Sequence, residues 1–408
     1  MQVLFLTQVL PYPLDAGPKV RAYFTLRHLA ARHAVTLVSL VRSSDSPEAL
    51  AHLRQWCQAV ITVPIERSPV RDALALARSL ASGRPFLVER DRVPGLHAAL
   101  RDLAGPSGQT RFDVIHADQL WMAPYALAAR PAAPLARPRL VLDQHNAVHL
   151  IPRRMAASSG SPALRWLFGQ EAARMARYEA AVCREFDRVV VVSAEDGQAL
   201  LGLYPEPKRP PAFPVIPICI DPAAIEARLE PASQPVILFV AGMHWPPNRD
   251  GVLWFAREVL PLVTEAVPGV RFDVVGRQPP PELAALAQAA GAALRAPGYL
   301  PDVEDSWRGC RVFVVPLRSG GGMRVKILDA WARGVPVVST SIGAEGLAHC
   351  HGENLLIADT PDAFAGAVRQ VLRDTELARR LALGGRAAVE QHYDWRRVYP
   401  AWDRIYAD

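Results

Sequence analysis

At 408 residues, half of them hydrophobic and 21% charged, the chain has material for two ordinary domains and is neither disordered nor fibrous. No apolar run approaches the roughly 20 residues that span a bilayer, residues 1–10 lack the basic start of a signal peptide, and five scattered cysteines without a CxxC pair suit reduced thiols in a cytosolic compartment. The net charge of +6 is uneven: residues 1–215 hold 26 Lys/Arg against 18 Asp/Glu and residues 216–408 hold 20 against 22, so the first half suits an anionic partner.

The apolar run at residues 3–7 predicts a first strand, followed by a proline-rich loop that closes at Gly17. Residues 19–32 carry a helical period and 35–41 read as the next strand. Strand, loop, helix and strand at this length form a βαβ unit, which implies a parallel sheet covered by helices. The rhythm continues with a helix at 47–58, a strand at 59–64, helices across 69–103, a strand at 112–116 and a helix at 120–129. A strand at 139–143, a helical stretch at 163–186 and a strand at 188–192 complete it. The proline-dense residues 205–217 interrupt the pattern, although 215–220 still suit a strand. It then restarts, with strands at 235–241, 270–275, 311–315 and 335–339 and helices at 250–266, 281–290, 362–373, 376–391 and 394–406. The expected organisation is one open α/β domain over 1–215, a linker over 216–232, a second over 233–390, and a final helix in 391–408 packing back on the first. Ligands of such folds bind beyond the carboxyl ends of the strands.

Between the strands at 311–315 and 335–339 lies Ser319-Gly320-Gly321-Gly322-Met323-Arg324-Val325-Lys326-Ile327-Leu328-Asp329. Strand, glycine loop and helix aim free backbone N–H groups and a helix N-terminus at an anion. Arg324 and Lys326 add cationic donors, and Asp329, one turn inside the helix, offers an acceptor for hydroxyls. A ligand with both an anion and a polyol, such as a nucleoside diphosphate-sugar, suits all these parts; a plain flexible loop ahead of a helix is the alternative. Only Lys19, Lys208 and Lys326 are lysine, and two of them stand just after glycines. A compact ammonium and a planar guanidinium meet phosphate differently, which singles out Lys19 and Lys326.

These residues are similar to those of the retaining glycosyltransferases of family 4, whose fold is GT-B, two Rossmann-like open α/β domains facing across a cleft. The resemblance covers nearly the whole chain and is strongest over residues 315–340, continuing into Gly343-Ala344-Glu345-Gly346. Residues 13–17 with Arg21, 112–116, 190–193, 216–221 and 239–248 support it. Within the family, the pattern looks most like that of sugar transferases associated with bacterial exopolysaccharide export. The resemblance implies a cytoplasmic, metal-independent hexosyltransferase without a cofactor. Its donor is a nucleotide diphosphate-sugar and its acceptor a hydroxyl on a glycan or lipid-linked chain. By its charge, not by the resemblance, the basic half suits a phospholipid surface (peripheral membrane contact), a lipid-diphosphate acceptor or an acidic glycan. The resemblance also implies that Asp329 holds the ribose hydroxyls, that amides around Gly320, Gly321 and Gly322 hold phosphate or sugar, and that Gly17 closes over the diphosphate. Glu345 and Gly346 would face the donor, and His116 would contact sugar or acceptor.

Two departures from the family pattern stand out. The usual pair of glutamates eight positions apart is here Gly321 and Asp329. The basic pair expected after the first strand of the second domain is replaced by Gly242-Met243-His244-Trp245-Pro246-Pro247-Asn248. Arg324 and Lys326 are expected to supply the missing charge at the diphosphate. Rival readings are a nucleotide-sugar epimerase or phosphorylase on the same fold, or a non-catalytic sugar-nucleotide or glycan-binding subunit. His116 and Asp118, at a strand end, are candidates for contact with substrate, as are Asp143, His145 and Asn146 at the next. Asn248 is a candidate helix cap. His349-Cys350-His351 reads as a loop, because three consecutive side chains do not converge on one ion. No DxD triplet, no GxGxxG after a strand and no GxxxxGK[ST] occurs, which argues against a metal-bound diphosphate, a dinucleotide enzyme and a P-loop enzyme; nucleic acid is not an expected partner.

Overall fold

The computed structural model describes residues 1–104, 111–130, 137–204 and 212–407. The chain divides into two units, Met1–Cys219 with Val398–Asp408, and Ile220–Arg397. In the first, β1 (Gln2–Thr7), α1 (Gly17–Ala30), β2 (Ala34–Val41), α2 (Pro47–Arg54), β3 (Ala59–Pro64), α3 (Pro69–Ser82), α4 (Phe86–Arg90) and α5 (Pro94–Ala104) come first. Next are β4 (Val114–Asp118), α6 (Ala123–Ala128), β5 (Arg139–Gln144), α7 (Leu150–Ser158), α8 (Pro162–Glu185), β6 (Arg188–Val191) and α9 (Ala194–Leu201). The strands pair in parallel in the order β3-β2-β1-β4-β5-β6. Outside the edge strand β3, their near-continuous Val, Leu and Ile runs are buried, as a sheet covered on both faces requires. Ser46, Ser68, Ser161 and Ser193 cap α2, α3, α8 and α9, each accepting from the amide three residues on.

The second unit holds β7 (Val236–Val240), α10 (Pro246–Trp254), α11 (Leu260–Ala266), β8 (Arg271–Val275), α12 (Pro281–Ala290), β9 (Leu294–Gly298), α13 (Glu304–Arg308) and β10 (Val312–Val315). It continues with α14 (Val325–Ala332), β11 (Val337–Ser339), α15 (Ser341–Ala344), β12 (Leu356–Ile357), α16 (Pro361–Arg373) and α17 (Thr375–His392), and α18 (Trp395–Val398) runs to its boundary. Its order is β12-β11-β10-β7-β8-β9, all parallel. Counted from the first strand of each unit, both sheets read 3-2-1-4-5-6, with the switch point between β1 and β4 in one and β7 and β10 in the other.

The last helix, α19 (Ala401–Tyr406), belongs to the first unit, where Tyr399, Trp402 and Tyr406 are buried. Arg139 donates to the carbonyl of Tyr406, and His28 meets Asp403 at 2.8 Å. Some elements differ from the sequence-based expectation. The helix α8 fills the expected helical stretch at 163–186, whereas α7, which ends before Gly160, was not expected, and α9 had no clear periodic signal. The edge strands β9 and β12 escape because one carries Pro297 and Gly298 and the other has two residues. Residues 215–220 hold two isolated bridges, Val215 to Val191 and Ile220 to Asp394, in place of a strand. Most of the proline-dense stretch, residues 205–211 with Lys208, lies outside the described residues.

Candidate functional site

The glycine loop leaves the carboxyl end of β10 and enters α14, as its sequence requires. Gly320 and Gly322 take φ of 108° and 78°, which side chains resist. At Gly320 an added Cβ would also lie 3.0 Å from a guanidinium nitrogen of Arg324. Arg324 is buried and folds back, donating Nη1 to the carbonyls of Gly321 and Gly322. The guanidinium therefore braces the loop from within, where the sequence suggested a donor at the mouth. The neighbouring strand end is tied in as well: Thr340 donates its hydroxyl to the Leu317 carbonyl, and Gly343 fits only because a Cβ there would stand 2.4 Å from Ser339 Oγ and 2.7 Å from the Val315 carbonyl.

Lys326, Asp329 and Arg333 share one face of α14 by their spacing of three and four. Lys326 Nζ donates to Asn248 Oδ1 at 3.0 Å and lies 4.8 Å from the Phe239 ring centroid. Asn248 Nδ2 in turn donates to the Gly242 carbonyl at 2.9 Å. Asn248 is thus no helix cap: Trp245 holds that position at α10, and the amide instead joins the loop after β7 to the lysine. Among the described residues no carboxylate pairs with Lys326. Burial, with the Arg324 charge adding to it, pulls its pKa down to about 7. The Asp329 carboxylate stands 3.6 Å from Arg333, and its side chain keeps 43% of its exposure. Desolvation raises its pKa, Arg333 opposes and Glu304 adds to the rise, and solvent access tempers all three. Glu345 and Gly346 directly follow α15 beyond the carboxyl end of β11, half-buried, with Gly346 at φ 78°.

The first unit treats its charges differently. Arg21, wholly buried, grips Asp143 with two bonds of 2.9 Å and donates to the Pro217 carbonyl and the Tyr399 hydroxyl. The Tyr399 and Trp402 rings lie 5.3 and 5.0 Å from that guanidinium. Burial alone would raise the Asp143 carboxyl, but the Arg21 charge, its hydrogen bonds and the neighbouring His145 together hold it low. His145 Nε2 meets Asp118 at 2.9 Å, and desolvation pushes the Asp118 carboxyl up against that pairing. His116, Asp118 and Asp143 each place one ligand atom within 4.8 Å of the others. A cation fits poorly there, because Arg21 already brings a positive charge onto both Asp143 oxygens.

His116 is placed otherwise than its sequence suggested. It sits inside β4, which runs on to Asp118, and it is fully buried, stacked 4.5 Å from Phe5 and bonded through Nδ1 to the Tyr406 hydroxyl. Burial pulls its pKa down to about 3, so it is neutral. It supports the sheet and α19 and does not reach solvent. Gly17 is the first residue of α1 beside Lys19, whose ammonium pairs with Asp15 at 2.9 Å. His349 turns to the Leu347 carbonyl and His351 accepts from the Ile357 amide, so the two do not converge. Sequence reasoning missed Asn248 as a partner of Lys326. Its only signal was its place after β7, where the family carries charge.

Two Rossmann-like units with one strand order, and a glycine loop at the switch point of the second, define the class. Residues 16–215 match the family model described as a glycosyl transferase 4-like domain, and residues 234–374 that described as glycosyl transferases group 1. The chain thus carries a glycosyl transferase 4-like domain followed by a group 1 glycosyl transferase domain. It is 28% identical over 169 residues to an uncharacterised 44.6 kDa protein in the cps region of Klebsiella pneumoniae, covering 40% of this chain and 44% of that one. It is 29% identical over 174 residues to the phosphatidyl-myo-inositol mannosyltransferase of Mycobacterium leprae, covering 42% and 46%. These matches span less than half the length of either relative. Among solved structures, Anabaena HepE in complex with UDP-glucose superposes with a TM-score of 0.66 at 16% identity over 99% of both chains. WaaG, a glycosyltransferase involved in lipopolysaccharide biosynthesis, does so with a TM-score of 0.66 at 16% identity over the full length of both. At that identity the likeness carries the fold, which is GT-B. No helix among the described residues is long and apolar enough to cross a membrane.

Proposed function

We propose that the protein is a retaining hexosyltransferase, moving a sugar from a nucleotide diphosphate-sugar to a hydroxyl of a glycan or lipid-linked acceptor in cell-surface or exopolysaccharide synthesis. The observation that carries this reading is the loop Gly320–Gly322 opening onto α14, with an ammonium at Lys326 that no carboxylate among the described residues answers and Asp329 one turn further on. HepE, of the same fold, has been solved with UDP-glucose, and the M. leprae relative is a mannosyltransferase.

In this mechanism the bond from the anomeric carbon to the phosphate oxygen breaks while the acceptor oxygen bonds to the same face of that carbon. The acceptor's proton passes to the departing phosphate. No side chain must take that proton, so catalysis rests on position and on charge stabilisation at the leaving diphosphate. Lys326 and the loop amides provide the charge. Arg324 holds the loop in shape and adds its field, and Asp329 accepts from the ribose hydroxyls. Asp329 is one methylene shorter than the family's glutamate, so α14 must stand closer to the ribose.

A thermal-shift panel of UDP- and GDP-sugars tests the reading. A true donor at 100 times its Kd adds about 2.7 kcal/mol and raises Tm. A panel in which no sugar nucleotide raises Tm sinks it. Donor consumed without an acceptor-linked product would instead favour an epimerase or phosphorylase, and binding without any turnover a non-catalytic subunit, to which the glycine at position 321 gives some support.

A further inference from the structure

The helix α3 faces the wrong way for a soluble surface. Its inward side is Ala75 and Ser79, the latter donating its hydroxyl to the Arg84 carbonyl at 2.7 Å. At about 100° per residue the opposite side gathers Val70, Ala73, Leu74, Ala77, Leu80 and Ala81 within about 120° of arc. All six are exposed, with Val70, Leu74 and Leu80 retaining 70%, 50% and 63%. A surface helix ordinarily buries such a stripe and shows its polar side; here the order is reversed along about 17 Å of helix.

We propose that this outer face of α3 docks on an anionic lipid surface. Charge selects that occupant. Arg71 and Arg78, about two turns apart, lie along one margin of the stripe, while the helix's single acid, Asp72, is half-buried on the inner side. Arginines beside an apolar stripe lay their stems on it and reach headgroup phosphates with their guanidinium groups. The whole stretch 1–215 carries 26 Lys/Arg against 18 Asp/Glu, a field of the right sign. A second anchor lies near. The first two turns of α8 expose Leu164, Trp166 and Leu167 around Arg165, with Trp166 at 68%. The helix α4 packs on α3, and its Phe86 and Leu87 amides bond Glu171 of α8, about 6 Å of helical rise beyond Leu167. A tryptophan with leucines and an arginine suits the boundary between headgroups and chains. This surface is argued independently of the donor site.

The test is co-sedimentation of the full chain with phosphatidylcholine vesicles, with and without phosphatidylglycerol, in the absence of any sugar nucleotide. Binding is expected to need phosphatidylglycerol and to weaken as NaCl is raised. Leu74→Glu with Leu80→Glu should reduce it at least about tenfold, while Tm stays within about 2 °C because both sites are exposed. Arg71→Glu with Arg78→Glu should weaken binding to the anionic vesicles. Absence of wild-type binding, undiminished binding by the leucine variant, or equal binding to neutral vesicles overturns the proposal. So does light scattering that shows a wild-type dimer which the leucine variant splits, since α3 would then be a subunit interface. None of these outcomes touches the donor reading.

Discussion

The two sheets have the same strand order, yet they handle charge at their carboxyl ends in opposite ways. In the first unit each charge finds an answer inside the protein: Arg21 takes both oxygens of Asp143, and His145 takes Asp118. In the second, Lys326 has an amide oxygen and a ring face, Arg324 has carbonyls, and the nearest acid on the same helix face, Asp329, stands beside Arg333. Topology says where a ligand belongs on such a sheet. Internal pairing decides whether any charge is left for it. One end is consumed in holding α1, β5 and α19 together, and the other keeps cationic character that an anion relieves.

The sharpest way to break this contrast is to unpair the first unit. Arg21→Met leaves Asp143 buried without its partner and should cost about 3–5 kcal/mol, read by urea unfolding of the full chain. Arg21→Met combined with Asp143→Leu should recover most of that loss, because no charge is then stranded. The sign with pH follows from Asp143, whose folded pKa is depressed. Its contribution is complete above the ordinary carboxylate range and is lost as pH falls through the folded value. If Arg21→Met left stability unchanged but abolished donor binding, the pair would be a ligand site and the comparison would fail.

Lys326 should respond the other way. Lys326→Ala is expected to lower turnover at least tenfold, about 1.4 kcal/mol, without lowering Tm, since the removed charge had been buried at a cost. Between its folded pKa of about 7 and the ordinary 10.5, the unfolded chain binds the extra proton. Wild-type stability should therefore climb with pH across that window relative to the alanine variant. Donor binding has the opposite slope. A diphosphate favours the ammonium, so above pH about 7 the donor Kd should rise toward tenfold per pH unit, measured by calorimetry. Lys326→Arg, charged throughout, should flatten that slope. A slope identical in wild type and arginine variant would assign the titration elsewhere.

Most of the architecture was legible because parallel strands buried on both faces are written as apolar runs, as at residues 3–7, 139–143 and 312–315. Helix starts were marked by serine followed by proline. What failed had local reasons. β12 is too short for any period, β9 carries the proline and glycine that argue against a strand, and α7 follows β5 without a capping side chain. Within the site, the glycine loop and its following helix could be read, because positive φ and strand–loop–helix order leave a residue signature. The direction in which a long side chain turns leaves none. Arg324 bends back on its own loop, Asn248 crosses to Lys326, and His116 points inward to Tyr406, contacts between residues 78 and 290 positions apart in the last two cases.

The smallest effect probes the acid on α14. Asp329 is open to solvent and pairs loosely with Arg333, so Asp329→Asn should change stability by no more than about 0.5 kcal/mol. Its amide oxygen still accepts a hydrogen bond, only more weakly, and donor affinity should fall about three- to fivefold, within the 0.5–1.5 kcal/mol of one neutral bond. Asp329→Glu adds the methylene that the family's residue has. If α14 already stands close enough for the shorter acid, the longer one must fold aside, and affinity should drop or stay level. A gain in affinity from Asp329→Glu would mean that the helix stands at the family's usual distance and that aspartate underreaches the ribose. A comparison of UDP with 2′-deoxy-UDP separates these, because only a bond to the ribose hydroxyl makes the two ligands respond differently to the substitution.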